Sequence, residues 1–180
     1  MKRNAYKTLA AITILSLCAC GEQNKKQGAA VDQPKVVDAK TEVNSEPLEV
    51  SFSDDKTTKI FEDYLKIKSA LTASDVSNAK TAAGTLGTSI AEEDATIKTL
   101  AMQISTSDDL EKQRKLFSDL TTSLEPLLKD NITKGTIYKQ FCPMAFNSTG
   151  GYWLSNSDQI RNPYFGDKML RCGKVASTIL

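Results

Sequence analysis

The sequence contains no histidine among its 180 residues. Histidine is the commonest general base in enzymes, a frequent zinc ligand and the partner that activates a catalytic serine or cysteine, so its absence excludes these sites. The sequence also lacks a Gly-rich phosphate-binding loop of the Walker or Rossmann type. Neighbouring acidic residues, as in Glu92-Glu93 and Asp108-Asp109, stand where helices are expected to begin, and helix capping accounts for them. We therefore expect a protein that is not an enzyme.

A further absence is that of any apolar run long enough to cross a membrane as a helix. The apolar run over residues 9–18 follows a basic amino-terminal stretch and has the length of a signal-peptide core. Leu17 and Ala19 precede Cys20 at the spacing of a bacterial lipobox, the signature of a lipoprotein. We predict a signal peptide over residues 1–19, a lipid on Cys20 and a location in the bacterial cell envelope, facing the periplasm or the cell surface. An ordinary secretory signal that leaves Cys20 as a free thiol is the alternative.

The charge balance argues against a nucleic-acid partner. Cleavage before Cys20 lowers the count of Lys and Arg from 23 to 20, against 22 Asp and Glu, and no basic patch stands out. The predicted contact with the membrane is therefore made by the lipid. Residues 20–55 are mostly polar and charged, bury too little apolar surface to fold and are predicted to form a flexible tether. Within them the alternation of Leu48, Val50 and Phe52 suits an edge strand, which Pro47 disfavours.

From residue 56 onward, apolar residues recur at the spacing of amphipathic helices. The four stretches with this pattern cover approximately residues 56–73, 76–90, 97–104 and 108–128. Asp75 and Asp109 precede two of them as expected N-caps, and Pro126 should end or kink the last helix near its final turn. Gly84 and Gly87 suit a close approach between helices.

After the helices, β-favouring residues 135–141 and 152–154 flank a turn signal and predict a hairpin. The sequence therefore predicts a mainly α fold. We expect one domain over residues 56–180, in which a bundle of three to four helices is followed by a small β-hairpin and loop subdomain at about residues 133–175.

The chemistry-bearing residues concentrate in this carboxy-terminal segment. Two thiols and two thioethers lie in two short motifs, and the four residues concerned are Cys142, Met144, Met169 and Cys172. On a strand the first pair would share one face, and on a helical turn the second pair would do so. Thiolates and thioethers are soft ligands that suit Cu(I) or Ag(I), so convergence of the two motifs would create a soft-metal site.

The same residues allow two other interpretations. Cys142 and Cys172 are the thiols that remain after loss of Cys18 and lipidation of Cys20, and in an oxidising compartment they could form a structural disulfide. Such a bridge would close a loop of roughly 30 residues, stabilise the fold by about 3 to 4 kcal/mol and leave both methionines as core filler. A redox-active cysteine pair is the other possibility. The residues alone leave these alternatives open.

The aromatic residues of the same segment also have two interpretations. Four of them stand close together in the sequence: Tyr152, Trp153, Tyr164 and Phe165. They would either pack the hairpin onto the helical bundle or form an exposed patch that docks a protein partner, since aromatic side chains are enriched at interface hot spots.

The motifs of this segment resemble a known family. Its signature is matched by Phe141-Cys142-Pro143-Met144-Ala145, Trp153-Leu154-Ser155, Ile160 to Gly166 (IRNPYFG), Lys168-Met169-Leu170 and Cys172-Gly173. The family is a bacterial domain of unknown function that occurs in exported lipoproteins and fused to periplasmic adaptor subunits of copper and silver efflux pumps. The resemblance covers approximately residues 57–177 and implies a copper context by association, with a heavy-metal efflux adaptor as a candidate partner.

These observations lead to two hypotheses about function. In the first, an envelope lipoprotein binds or passes on Cu(I) or Ag(I) through the two cysteines and two methionines, in copper homeostasis or efflux. In the second, the domain is a non-catalytic interaction module in which a Cys142–Cys172 disulfide is purely structural.

Overall fold

The computed structural model of the protein describes residues 49–91 and 94–180. The predicted signal peptide, the lipidation site at Cys20 and the tether up to residue 48 lie outside these residues. Within the described residues, no helix is both long enough and apolar enough to span a membrane.

Most of the described chain forms a bundle of helices, as the apolar periodicity predicts. Neighbours along the chain pack together, with α1 against α2, α2 against α3 and α3 against α4. The four helices are α1 (Asp55–Thr72), α2 (Val76–Ser89), α3 (Ala95–Thr106) and α4 (Leu110–Asn131). The predicted mainly α fold with a small carboxy-terminal β subdomain is therefore confirmed.

Aspartate side chains start three of these helices. Asp54 accepts a hydrogen bond from Thr57 N at 2.7 Å, and Asp75 accepts one from Asn78 N at 2.9 Å. Asp109 accepts from the second and third amide groups of α4, those of Glu111 and Lys112. Each carboxylate satisfies a backbone N–H that the helix itself cannot pair, and its negative charge complements the helix dipole.

The small face of α2 lets α3 approach closely. A Cβ atom on Gly87 would lie 2.7 Å from Sδ of Met102, which is too close for a real contact. The predicted role of this glycine in close helix packing is thereby confirmed. Gly84 faces α3 less tightly, because a Cβ there would lie 3.7 Å from the nearest atom, on Ser105.

Helix α4 runs through Pro126 and ends at Asn131, so the first predicted effect, an end of the helix at Pro126, is wrong, whereas a kink there stays a prediction. Proline removes one helical hydrogen bond, but contacts beyond it hold the last turn in place. Leu128 is fully buried, and Asn131 O accepts a hydrogen bond from Ser53 N at 2.8 Å. Tertiary contacts thus outweigh the local preference.

Two small antiparallel sheets complete the described structure. In the first sheet, β1 (Ser51–Phe52) pairs with β2 (Ile132–Lys134). Val50 and Phe52 belong to the hydrophobic core, so the edge-strand pattern is realised and residues 49–55 are part of the fold rather than of the tether. The second sheet has the order β4-β3-β5, and its strands are β3 (Ile137–Cys142), β4 (Gly151–Ser155) and β5 (Lys174–Ile179).

A buried hydrogen-bonded chain joins the second sheet to the bundle. Leu154 N of β4 donates to the hydroxyl of Tyr64 at 3.0 Å, and this hydroxyl lies 2.8 Å from Thr121 Oγ1. Because Thr121 donates to Phe117 O, the hydroxyl of Tyr64 donates to Thr121. The ring of Tyr64 also stacks on Phe117, with centroids 4.9 Å apart. One side chain of α1 thus contacts both α4 and β4.

We predict that Tyr64→Phe destabilises the protein by about 1–3 kcal/mol, because the buried N–H of Leu154 loses its partner while the ring packing is kept. The measurement is the free energy of unfolding by urea. Tyr138→Phe is the matched control, since Tyr138 is half-buried and its hydroxyl makes no hydrogen bond within residues 49–91 and 94–180. Equal effects of the two substitutions would contradict the role of the Tyr64 hydroxyl.

Candidate functional site

The structure brings together the two cysteines of the carboxy-terminal segment. The Sγ atoms of Cys142 and Cys172 lie 3.7 Å apart and are not bonded to each other. Cys142 is fully buried at the end of β3, whereas Cys172 is half-buried. The pair is therefore a dithiol with one sulfur in the core and the other near the surface.

Strand register explains the burial of Cys142. Cys142 lies opposite Gly151 and Gln140 lies opposite Trp153, so these four residues share one face of the sheet. Cys142, Gln140 and Trp153 are all fully buried. The chain covers this face by folding back over it after β4, and that return segment, residues 156–173, carries Cys172.

The return segment is held by side chains that donate to its backbone carbonyl groups. Gln140 Nε2 donates to Ser157 O at 2.9 Å, and Arg114 Nε donates to Pro163 O at 3.0 Å. Asn162 Nδ2 donates to Cys172 O at 2.9 Å. The three donors are themselves buried. An irregular segment needs such partners because its backbone groups have no strand or helix to pair with.

Gly173 allows the chain to pass from Cys172 into β5. Its φ angle of +146° lies outside the range that other residues adopt readily. A Cβ atom there would also lie 2.9 Å from Phe141 O and 3.0 Å from the ring of Trp153. The Cys-Gly dipeptide therefore allows close contact between the end of the return segment and the sheet.

The two methionines occupy different surroundings from those predicted. Cys142 is the last residue of β3 and Met144 lies in the turn beyond it, so the expectation that both residues share a strand face is wrong. Met169 ends a 3-10 helix (Gly166–Met169), and Cys172 N donates to Met169 O at 3.0 Å, one turn away as expected. Met144 is 48% exposed and Met169 is 36% exposed, so both thioethers lie at the surface rather than in the core.

The turn that follows Cys142-Pro143-Met144 has a left-handed backbone. In the short segment α5 (Ala145–Ser148), Phe146, Asn147 and Ser148 have φ angles of 52°, 57° and 66°. Residues with a side chain pay about 1–2 kcal/mol each in this conformation. Packing offsets part of that cost, because Phe146 meets the ring of Tyr164 edge-on with centroids 5.0 Å apart.

The environment of Cys172 disfavours its ionised form. Partial burial, and next the contact with Cys142, raise the pKa of the Cys172 thiol above its ordinary value. No group of three Cys, Asp or Glu side chains that could hold a metal ion occurs in the described part of the chain. Among these side chains, the two thiols of Cys142 and Cys172 are therefore the groups that the structure brings together.

The four aromatic residues, predicted either to pack the hairpin onto the bundle or to form an exposed docking patch, do not all lie at the surface. Trp153 is fully buried and Tyr164 is 3% exposed, because the two rings pack edge-on at 5.8 Å between the sheet and Phe117 of α4. Phe165 is half-buried, and Tyr152 is 43% exposed. Packing of the hairpin onto the bundle is thus the role of Trp153 and Tyr164, and Tyr152 is the main exposed ring of the set.

Comparison with known families finds a match over the helical bundle. Residues 60–135 match the model of a family described as Protein of unknown function (DUF3347). This supports the predicted resemblance to a domain of unknown function, and the link to copper efflux stays a prediction. The matched residues end before Cys142. No curated protein and no solved structure matches the chain.

The raised pKa of Cys172 predicts slow alkylation at neutral pH. Less thiolate is present at a given pH when the pKa is higher, so the profile of rate against pH should be shifted to higher pH than that of a free cysteine, whose pKa is about 8.5. The measurement is site-resolved mass spectrometry after iodoacetamide treatment at several pH values. In Cys142→Ala the profile should move to lower pH because the neighbouring thiol is gone. An unchanged profile in that variant would rule out the coupling between the two thiols.

Proposed function

We propose that this protein binds a soft monovalent metal ion, Cu(I) or Ag(I), through the thiolates of Cys142 and Cys172. The observation that carries the proposal is the unbonded approach of their Sγ atoms to 3.7 Å. Cys thiolates prefer soft ions, and with no histidine in the chain the competing imidazole chemistry is absent. The function is binding or transfer of an ion and involves no catalysed reaction.

The distance between the sulfurs suits metal ligation. Two thiolates on one tetrahedral ion with metal–sulfur bonds of about 2.3 Å are about 3.8 Å apart. The observed 3.7 Å therefore requires little movement of either side chain. The half-buried position of Cys172 leaves the pair accessible from one side, while burial of Cys142 anchors it. Binding requires both thiols to lose their protons, so affinity should rise with pH.

Met144 and Met169 are proposed as additional thioether ligands. Both are exposed and each lies within three residues of one cysteine in the sequence. Methionine side chains have three rotatable bonds, so their sulfurs can move toward an ion held by the thiolates. Because this movement costs little, the methionines would tune the affinity rather than create it.

The proposed setting is the cell envelope. The predicted lipid on Cys20 would hold the domain at a membrane surface, and the predicted tether would let it reach a partner. The resemblance to domains fused to efflux adaptors supports a role in copper homeostasis or efflux, with such an adaptor as the proposed partner.

Titration of the reduced protein with Cu(I) against a competing chelator tests the proposal. The unsubstituted protein should bind about one Cu(I) per chain more than Cys142→Ser or Cys172→Ser binds. The measured quantity is the stoichiometry lost on substitution, because Cys18 and Cys20 would contribute equally to every variant. The double variant Met144→Leu with Met169→Leu should bind more weakly, since the thioethers are removed while the apolar bulk stays.

Met102→Leu is the matched control for the methionine variants. Met102 is 43% exposed on α3 and is distant in sequence from both cysteines, so its replacement should leave Cu(I) affinity unchanged. The proposal fails if Cys142→Ser binds as much copper as the original protein. It also fails if the affinity is weaker than about micromolar.

A second candidate function is a protein-interaction domain with a structural disulfide. The same separation of the sulfurs favours it, because a short shift of the two side chains would bring the sulfurs to the bond length of about 2.05 Å once an envelope thiol oxidant takes up two electrons and the thiols release two protons. The exposed ring of Tyr152 would then form part of a docking surface. Its centroid lies 4.6 Å from that of the half-buried ring of Phe141. This surface is smaller than the aromatic patch that the sequence predicts.

Peptide mapping without reduction distinguishes the two functions. After alkylation in cells, trypsin should release residues 140–161 and 172–174 as separate alkylated peptides if the pair is kept for metal binding. Complete recovery of the two peptides as one disulfide-linked species would favour the interaction domain and contradict the metal-binding function.

A further inference from the structure

An excess of hydrogen-bond donors lies where α1 meets the end of β4. Lys68 is half-buried, and its Nζ donates to Ser155 Oγ at 3.0 Å. Ser155 is 1% exposed and also accepts a hydrogen bond from Ser157 N at 3.2 Å. Both lone pairs of the hydroxyl are thus occupied, and within the described residues its proton has no acceptor. The ammonium of Lys68 likewise retains N–H groups beyond the one that Ser155 accepts.

No carboxylate neutralises this cluster among residues 49–91 and 94–180. Lys68 forms no ion pair, and Arg161 pairs with neither Asp158 nor Asp167. Other lysines of the fold differ, since Lys66 lies 2.8 Å from Asp63 and Lys139 lies 2.7 Å from Glu125. Lys68, whose hydrogen-bond partner is a hydroxyl, therefore differs from these two lysines.

The positive charge of Arg161 acts on the ammonium group of Lys68. Burial, and next the positive charge of Arg161, lower the pKa of Lys68 to about 8. Arg161 lies in the return segment and is exposed, whereas the neighbouring Asn162 is fully buried. The fold therefore keeps two cationic side chains whose positive charges repel each other, and a bound anion would offset that repulsion.

We propose that Lys68, Ser155 and Arg161 form a binding site for a small oxyanion, a phosphate or carboxylate group of a free ligand. Lys68 would supply a point charge, Ser155 its unused hydroxyl proton and Arg161 a planar pair of donors that matches two oxygens of one group. The site uses neither cysteine, so it is independent of the proposed metal binding.

Titration of the full-length protein with inorganic phosphate, and separately with acetate, tests the site. Ionic strength is kept constant with chloride. We expect saturable changes in the nuclear magnetic resonance signals of the Ser155 amide and the Lys68 side chain with at least one of the two ions. The affinity should fall at least tenfold in Lys68→Met and several-fold in Arg161→Gln. Lys112→Met, which replaces an exposed lysine of α4 that forms no ion pair in the described part of the chain, should bind as the original protein does.

Both variants should fold, because Lys68→Met removes a half-buried charge and Arg161 is exposed; circular dichroism verifies this. The proposal is overturned if neither ion gives a saturable response beyond that of chloride. It is also overturned if the response survives in the double variant of Lys68→Met and Arg161→Gln. A third titration uses phosphatidylglycerol vesicles, and binding to vesicles without binding to free phosphate or acetate would replace the small ligand by a membrane surface and overturn the proposal.

Discussion

The candidate site depends on one constraint: buried polar side chains satisfy the carbonyl groups of an irregular segment. Residues 156–173 cover one face of the second sheet without forming a strand or a long helix. Arg114 and Gln140 donate to this segment from α4 and β3, and Asn162 donates within it to Cys172 O. Unpaired carbonyl groups would be costly at such a buried position, so the segment has one favoured path. That path brings Cys172 to Cys142.

The two thiols are buried to different extents, and this affects how readily they lose their protons. Cys142 is anchored in the core, whereas Cys172 lies at the boundary between the core and solvent, with a raised pKa. The proton on Cys172 must leave before either a metal thiolate or a disulfide can form, so both reactions become easier as pH rises. In the proposed site, the two thiolates are soft ligands, and such ligands suit Cu(I) better than harder ions.

Local signals predicted the helices well and the site only in part. Apolar spacing and the capping residues Asp75 and Asp109 located the helices to within a few residues, because these signals act within one or two turns. The continuation of α4 past Pro126 depends on contacts with Ser53, which lies far away in the sequence. The burial of Trp153 and the surface position of Met144 likewise follow from how the return segment covers the sheet. Its long-range donors, such as Arg114, carry no local pattern that reveals their partners.

X-ray absorption at the copper edge tests whether Cys142 and Cys172 together hold a soft metal ion. The protein is loaded with one equivalent of Cu(I), and the spectrum identifies the atoms bonded to the metal. Binding by both thiolates predicts a shell made of sulfur atoms, with fewer of them in Cys172→Ser. A shell dominated by oxygen or nitrogen, or one that is identical in that variant, would contradict it.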